Sequence, residues 1–209
     1  MGLYLGHESA LRYWLTKRGN ECLPDCSPDT TLANATANKG EIISSPLPFE
    51  CSEERPLHLL VTGKHGRRST PGVREHQLSS TLPRGSFRLL AGTVRVASPE
   101  LTYLLMAQCR DIQDLAVIGC YLCGGFSISD EGRGYTGPRD SLTTPEDIAS
   151  FLDLVPGAYG LNKARRALKH VVQNTASPIE TLLALTSSLP PVLGGRMMPQ
   201  VAANQRILV

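Results

Sequence analysis

No run of about 18 apolar residues occurs anywhere in the 209-residue chain, which excludes a membrane-spanning helix on length. A secretory leader is also missing at the start: Met1-Gly2-Leu3-Tyr4-Leu5-Gly6-His7-Glu8 reaches a polar pair before an apolar stretch forms. Gly6 stands where a myristoylation start carries Ser or Thr. A cytoplasmic protein with reduced thiols and no membrane partner is therefore expected. Charge of one sign is not in excess: 21 Lys and Arg against 19 Asp and Glu leave a net of +2, so affinity for nucleic acid has to come from local clusters. G-x-S-x-G and P-loop motifs are absent, and Gly132-Arg133-Gly134-Tyr135 lacks the strand-to-helix context of a phosphate cradle. The five histidines show no metal-ligand spacing, and His58, within an apolar run, reads as a packed or edge residue. There is no internal repeat and no low-complexity tract.

What is present is enough apolar sequence, 41%, to bury a core. Of the six cysteines, Cys22-x-x-x-Cys26 and Cys120-x-x-Cys123 are pairs that could hold one zinc, but Cys120 and Cys123 adjoin the apolar stretch Leu115 to Leu122, where cysteine serves as a small core residue. No metal site is assigned.

Helical spacing of Ala10, Leu11, Trp14 and Leu15 predicts a short amphipathic helix over 8–18. Residues 19–56, rich in Pro, Ser, Asn, Asp and Thr, read as an irregular connector with one apolar patch at Glu41-Ile42-Ile43. Strands are predicted at Leu57–Val61, Val73–Leu78 and Phe87–Val96, forming a small antiparallel β-meander whose turn Lys64-His65-Gly66-Arg67-Arg68 gathers positive charge. Ser98-Pro99-Glu100 and Thr144-Pro145-Glu146 have the cap, proline, acid order of helix starts, and a further helix runs from about Ile112 to Cys123 and stops at Gly124-Gly125. Ser127 to Leu142 reads as a surface loop.

The most basic segment is Asn162-Lys163-Ala164-Arg165-Arg166-Ala167-Leu168-Lys169-His170. Ala164, Ala167, Leu168 and Val171 form its buried stripe, and its cations suit either an ordinary solvated face or contacts to phosphates. Ser177-Pro178-Ile179-Glu180 opens a last helix, with Glu180 placed to reach back to the Ser177 N–H in a capping box. The run Asn204-Gln205-Arg206-Ile207-Leu208-Val209 is expected to enter a strand. The reading is an α+β fold divided into an N-terminal helix (1–18), a connector (19–56), an α+β domain (57–155) and an incomplete C-terminal module (156–209).

Several short motifs carry a resemblance: Ser9-Ala10-Leu11-x-Tyr13-Trp14, Pro56-Leu57-His58-Leu59-Leu60-Val61, Arg67-Arg68, His76, Ser98-Pro99-Glu100-Leu101, Ala176-Ser177-Pro178-x-Glu180-Thr181, Leu189-Pro190 and Gly194-Gly195. In this order they resemble bacterial endonuclease-domain proteins, with an AbiE-antitoxin-like N-terminal region and a PD-(D/E)XK, very-short-patch-repair-like nuclease module. The resemblance implies DNA as partner, with Arg67, Arg68, Lys163, Arg165, Arg166 and Lys169 as phosphate contacts. It implies Mg²⁺ for a complete family member, held by an Asp and a Glu-x-Lys on adjacent strands, with Glu180 as the helix acid that joins them. Those strands have no counterpart in these 209 residues, so no cofactor and no autonomous cleavage are expected of this chain. The alternative implied is a non-catalytic antitoxin-like or regulatory module that binds a protein partner or operator DNA.

Overall fold

The computed structural model describes residues 2–18, 23–24, 35, 39–62, 70–78, 82–130, 134–198 and 202–204. Among them are seven α-helices, a five-stranded mixed sheet and a two-stranded antiparallel ribbon, an α+β architecture as expected.

The strand that organises the sheet is its shortest. β1, Leu3–Leu5, lies in the middle of the order β3-β2-β1-β5-β4, pairing antiparallel with β2 (Leu57–Val61) and parallel with β5 (Val94–Ala97). Leu3, Tyr4 and Leu5 are all buried, so three apolar residues suffice for a strand covered on both faces. The sequence reading left this segment unassigned because three residues show no period.

The expected antiparallel meander is corrected to a mixed arrangement. β2 and β3 (Val73–Gln77) run parallel, Leu57 opposite Val73 through Val61 opposite Gln77. The fully buried β2 run Leu-His-Leu-Leu-Val suits a strand flanked on both edges. The single strand expected over Phe87–Val96 is a hairpin of β4 (Phe87–Ala91) and β5, turned at Gly92 with φ of 54°, a conformation glycine adopts without a Cβ clash.

Helix starts follow the capping chemistry. α1 spans His7–Thr16, and within the connector Lys39–Ser44 forms the one-turn α2. α3 is Pro99–Met106, with the Ser98 hydroxyl accepting the Leu101 N–H; α4 is Ile112–Leu122, capped by Asp111; α5 is Pro145–Asp153, capped by Thr144. α6 spans Leu161–Leu168, and α7 is Pro178–Ser188, capped by Ser177. The expected surface loop at 127–142 contains a ribbon, β6 (Phe126–Ile128) with β7 (Tyr135–Pro138). The buried Arg139 just after it donates to the carbonyls of Trp14 and Tyr121, tying the ribbon to α1 and α4.

One core joins the sheet to α1, α3, α4, α5 and α6, with Tyr4, Phe87, Tyr103 and Met106 among its largest members. A smaller cluster of Ala116, Cys120, Val172, Ala184, Leu185 and Leu189 docks α7 onto α4. Cys120 and Cys123 are buried, and the Val172 N–H donates to Cys120 Sγ at 3.2 Å. Burial pushes the Cys120 thiol up to about 11. Cys22 and Cys26 lie outside the described residues, as do Arg67, Arg68 and the expected strand beyond Asn204. No helix among the described residues is long and apolar enough to cross a membrane.

Candidate functional site

The register of two neighbouring strands creates the site. Because His58 pairs with Arg74 and Leu60 with His76, the alternation of a strand places His58, Leu60, Arg74 and His76 on one face of the sheet. α1 lies against that face. Gly6, immediately before it, has Leu60 where a Cβ would sit, 2.6 Å away, so glycine is what lets the helix start this close to β2. The Ser9 hydroxyl accepts the His58 N–H at 2.8 Å and fixes the spacing. His7, the first residue of α1, is thereby set over the strand histidines.

Three of the five histidines meet here. The His7 and His76 rings stack with centroids 3.7 Å apart and planes 19° apart, and His58 lies 5.0 Å from His76 at 20°. His58 Nδ1 and His76 Nε2 are 2.9 Å apart and share a hydrogen bond, which requires one bare nitrogen and one N–H. Burial first, then the neighbouring His76, lowers both His7 and His58 to about 4; His7 is partly offset by Gln108, and Arg74 adds to the lowering at His58. Burial and Arg74 lower His76 as well. Burial therefore favours the neutral form of all three rings. His7 has φ of 46° and a buried Nδ1 without a hydrogen-bond partner, so both its backbone and its ring carry a local cost that the surrounding contacts maintain.

The histidines line a cavity of about 840 Å³, within the usual range for small-molecule sites of ~300–1,000 Å³. Two ion pairs lie in its lining. Arg12 of α1 engages the Asp130 carboxylate with both Nε and Nη2, joining α1 to the β6–β7 ribbon. Glu8 pairs with Arg110 in the α3–α4 turn, where Cys109 also lines the wall. Each carboxyl therefore has its own guanidinium, and Arg12 holds Asp130 below the ordinary carboxylate range.

Two further guanidiniums line the cavity without such pairing. Arg55 donates to the Asp130 backbone carbonyl at 3.1 Å, and Arg74 has no hydrogen bond or ion pair among the described residues. Among the described residues Glu54 is the only other acid of the lining, so four guanidiniums face three carboxylates. Tyr159, ahead of α6, adds an aromatic ring that is 76% exposed. The site thus offers an unneutralised cation, neutral imidazoles able to donate or accept, and a ring for stacking.

The residues expected from sequence fall elsewhere or at its margin. Lys163 donates from Nζ to the Arg110 carbonyl at 2.8 Å and so fastens α6 to the cavity wall. Arg165, Arg166 and Lys169 are exposed on α6, opposite the buried Leu161, Ala164 and Ala167, and Arg165 pairs with Asp153 at 2.7 Å. Glu180 is not among the residues that line the cavity. Its backbone N–H donates to Ser177 Oγ, and its carboxylate accepts the Ala176 N–H at 2.7 Å and Asn204 Nδ2 at 3.0 Å. The capping-box partner is thus the N–H of Ala176 rather than that of Ser177. Two donors thus occupy the Glu180 carboxylate, and among the described residues no three His, Cys, Asp or Glu side chains are arranged to hold a metal ion.

Sequence reasoning missed His7, Arg74 and Tyr159 altogether and met His76 only through the resemblance. The signal that could have found Arg74 and His76 is the alternation His58-x-Leu60 against Arg74-x-His76, legible only once the two strands are known to be neighbours; His7 and Tyr159 lie on neither strand.

No protein-family model matches the chain, and neither a curated protein nor a solved structure matches it.

Proposed function

We propose that the protein is a DNA-associated binding protein, without cleavage activity of its own, whose contact site is the histidine and arginine cavity with the basic face of α6 beside it. The observation that carries this reading is the occurrence in one cavity of Arg74, unpaired among the described residues, and the exposed Tyr159 ring, a cation for phosphate and an aromatic platform for a base. Lys163 connects that cavity to α6, along which Arg165, Arg166 and Lys169 extend positive charge. The resemblance to endonuclease-domain proteins agrees with a nucleic-acid context, and Glu180 is assigned to capping in this chain.

Fluorescence anisotropy with labelled single-stranded and duplex DNA tests the proposal. Binding is expected to weaken steeply with salt, with a slope of about −0.7 per phosphate contact on a single strand. Arg74→Gln and the triple change Arg165→Ala, Arg166→Ala, Lys169→Ala are each expected to reduce affinity, and Mg²⁺ to produce no cleavage. Absence of binding to either form at low salt would overturn it.

A second reading, an antitoxin-like or regulatory interaction module, is favoured by one observation: α7 exposes Ile179, Leu182 and Leu183 at 79%, 64% and 67%, an apolar surface suited to a protein partner. A preferred operator sequence in the same titration would favour it over the nuclease-like scaffold.

A further inference from the structure

Resting on the nucleic-acid reading above, we infer that the cavity is a receptor for a nucleotide phosphate monoester, as found at a phosphorylated strand end, with the phosphate beside Arg74 and the His58–His76 pair and the base on Tyr159.

A monoester differs from a diester in its acceptor count as well as its charge. A mid-strand diester carries one negative charge, whereas a monoester carries ~1.5–2 at neutral pH and three acceptor oxygens. The guanidiniums of Arg12 and Arg110 are taken by Asp130 and Glu8, and Arg74 and Arg55 stand against Glu54, so among the described residues the lining keeps one surplus positive charge. The two guanidinium forks of Arg74 and Arg55 can together meet the three unesterified oxygens of a monoester, where a diester offers two.

The histidine pair supplies complementary donors. With one hydrogen bond between His58 Nδ1 and His76 Nε2, the two rings keep one further N–H and one further bare nitrogen between them. A phosphate oxygen can accept from the N–H, and a singly protonated phosphate can donate to the nitrogen, so the pair fits the group in either ionisation state without first acquiring a proton.

The Arg12–Asp130 and Glu8–Arg110 ion pairs lie in the lining of the cavity and link α1 to two different parts of the fold. The N-terminus of the ten-residue α1 is also at the cavity, adding the positive end of its dipole.

The test compares a 5′-phosphorylated tetranucleotide, the same oligonucleotide ending in hydroxyls, a nucleoside 5′-monophosphate and inorganic phosphate by isothermal calorimetry on the full chain. The phosphorylated oligonucleotide is expected to bind at least tenfold tighter than its hydroxyl-ended counterpart. Arg74→Gln, a change at an exposed strand position, is expected to reduce that preference to less than twofold. Tyr159→Ala is expected to weaken both nucleotide ligands severalfold while leaving inorganic phosphate unchanged. A monophosphate binding as tightly as the oligonucleotide supports the site and identifies free nucleotide as its source; weaker binding supports the strand end. Equal binding of phosphorylated and hydroxyl-ended strands would overturn the inference and leave the nucleic-acid reading standing, whereas no binding of any strand would remove both.

Discussion

His7, His58 and His76 illustrate how differently a residue reads alone and in place. In the chain they are separated by 51 and 18 positions, and His58 within an apolar run was reasonably expected to be a packed residue. It is buried, yet it is also one member of a hydrogen-bonded pair facing a cavity. Arg139 was equally hidden: within an apparently polar loop nothing announces a guanidinium that donates to two main-chain carbonyls and is held down to about 10 by burial. The buried imidazoles make a prediction about pH. His7 and His58 titrate at about 4 when folded and near 6.5 in an unfolded chain, so between these values the unfolded state binds more protons. Their stabilising contribution is complete above about 6.5 and is lost as pH falls towards 4. Urea unfolding at pH 7 and pH 5 should therefore give a lower midpoint at pH 5, and an unchanged midpoint would contradict neutral, buried histidines.

At the scale of elements, α3, α5 and α7 were legible because their starts are written locally: Ser98, Thr144 and Ser177 each precede a proline, and all three hydroxyls accept an N–H of the first turn, whereas α2 lies in a stretch expected to be irregular. The strands were less legible because pairing is not local. A three-residue β1 has no period, a parallel β2–β3 pair cannot be told from a hairpin by composition, and the β4–β5 turn at Gly92-Thr93 was absorbed into one expected strand. The junction of α4 with the segment after α6 depends on one missing side chain. A Cβ at Gly119 would meet Val171 Cγ2 at 2.4 Å and Tyr103 Cε2 at 3.1 Å. Gly119→Ala should therefore destabilise by about 1–3 kcal/mol through overpacking, even though alanine favours helix. The double change with Val171→Ala should recover part of the loss. Denaturant melts of the three variants check this, and a stabilised Gly119→Ala would show that the helix and the segment are not in close contact.

For the molecule as a whole, the α+β class and helix content could be read in advance, whereas the site could not, since its walls come from α1, β2, β3, the α3–α4 turn, the β6–β7 ribbon and the segment before α6. The segments that carried the resemblance are distributed over the same chain but converge only in part: His58 and His76 reach the cavity, Lys163 touches its wall, and Glu180 caps a helix elsewhere. The most direct measurement is NMR of the histidine ring protons during titration with a 5′-phosphorylated oligonucleotide at constant pH. The resonances of His7, His58 and His76 are predicted to shift together with a common saturation point. If the oligonucleotide binds and these three rings do not move, the cavity is not the contact site and the account is wrong.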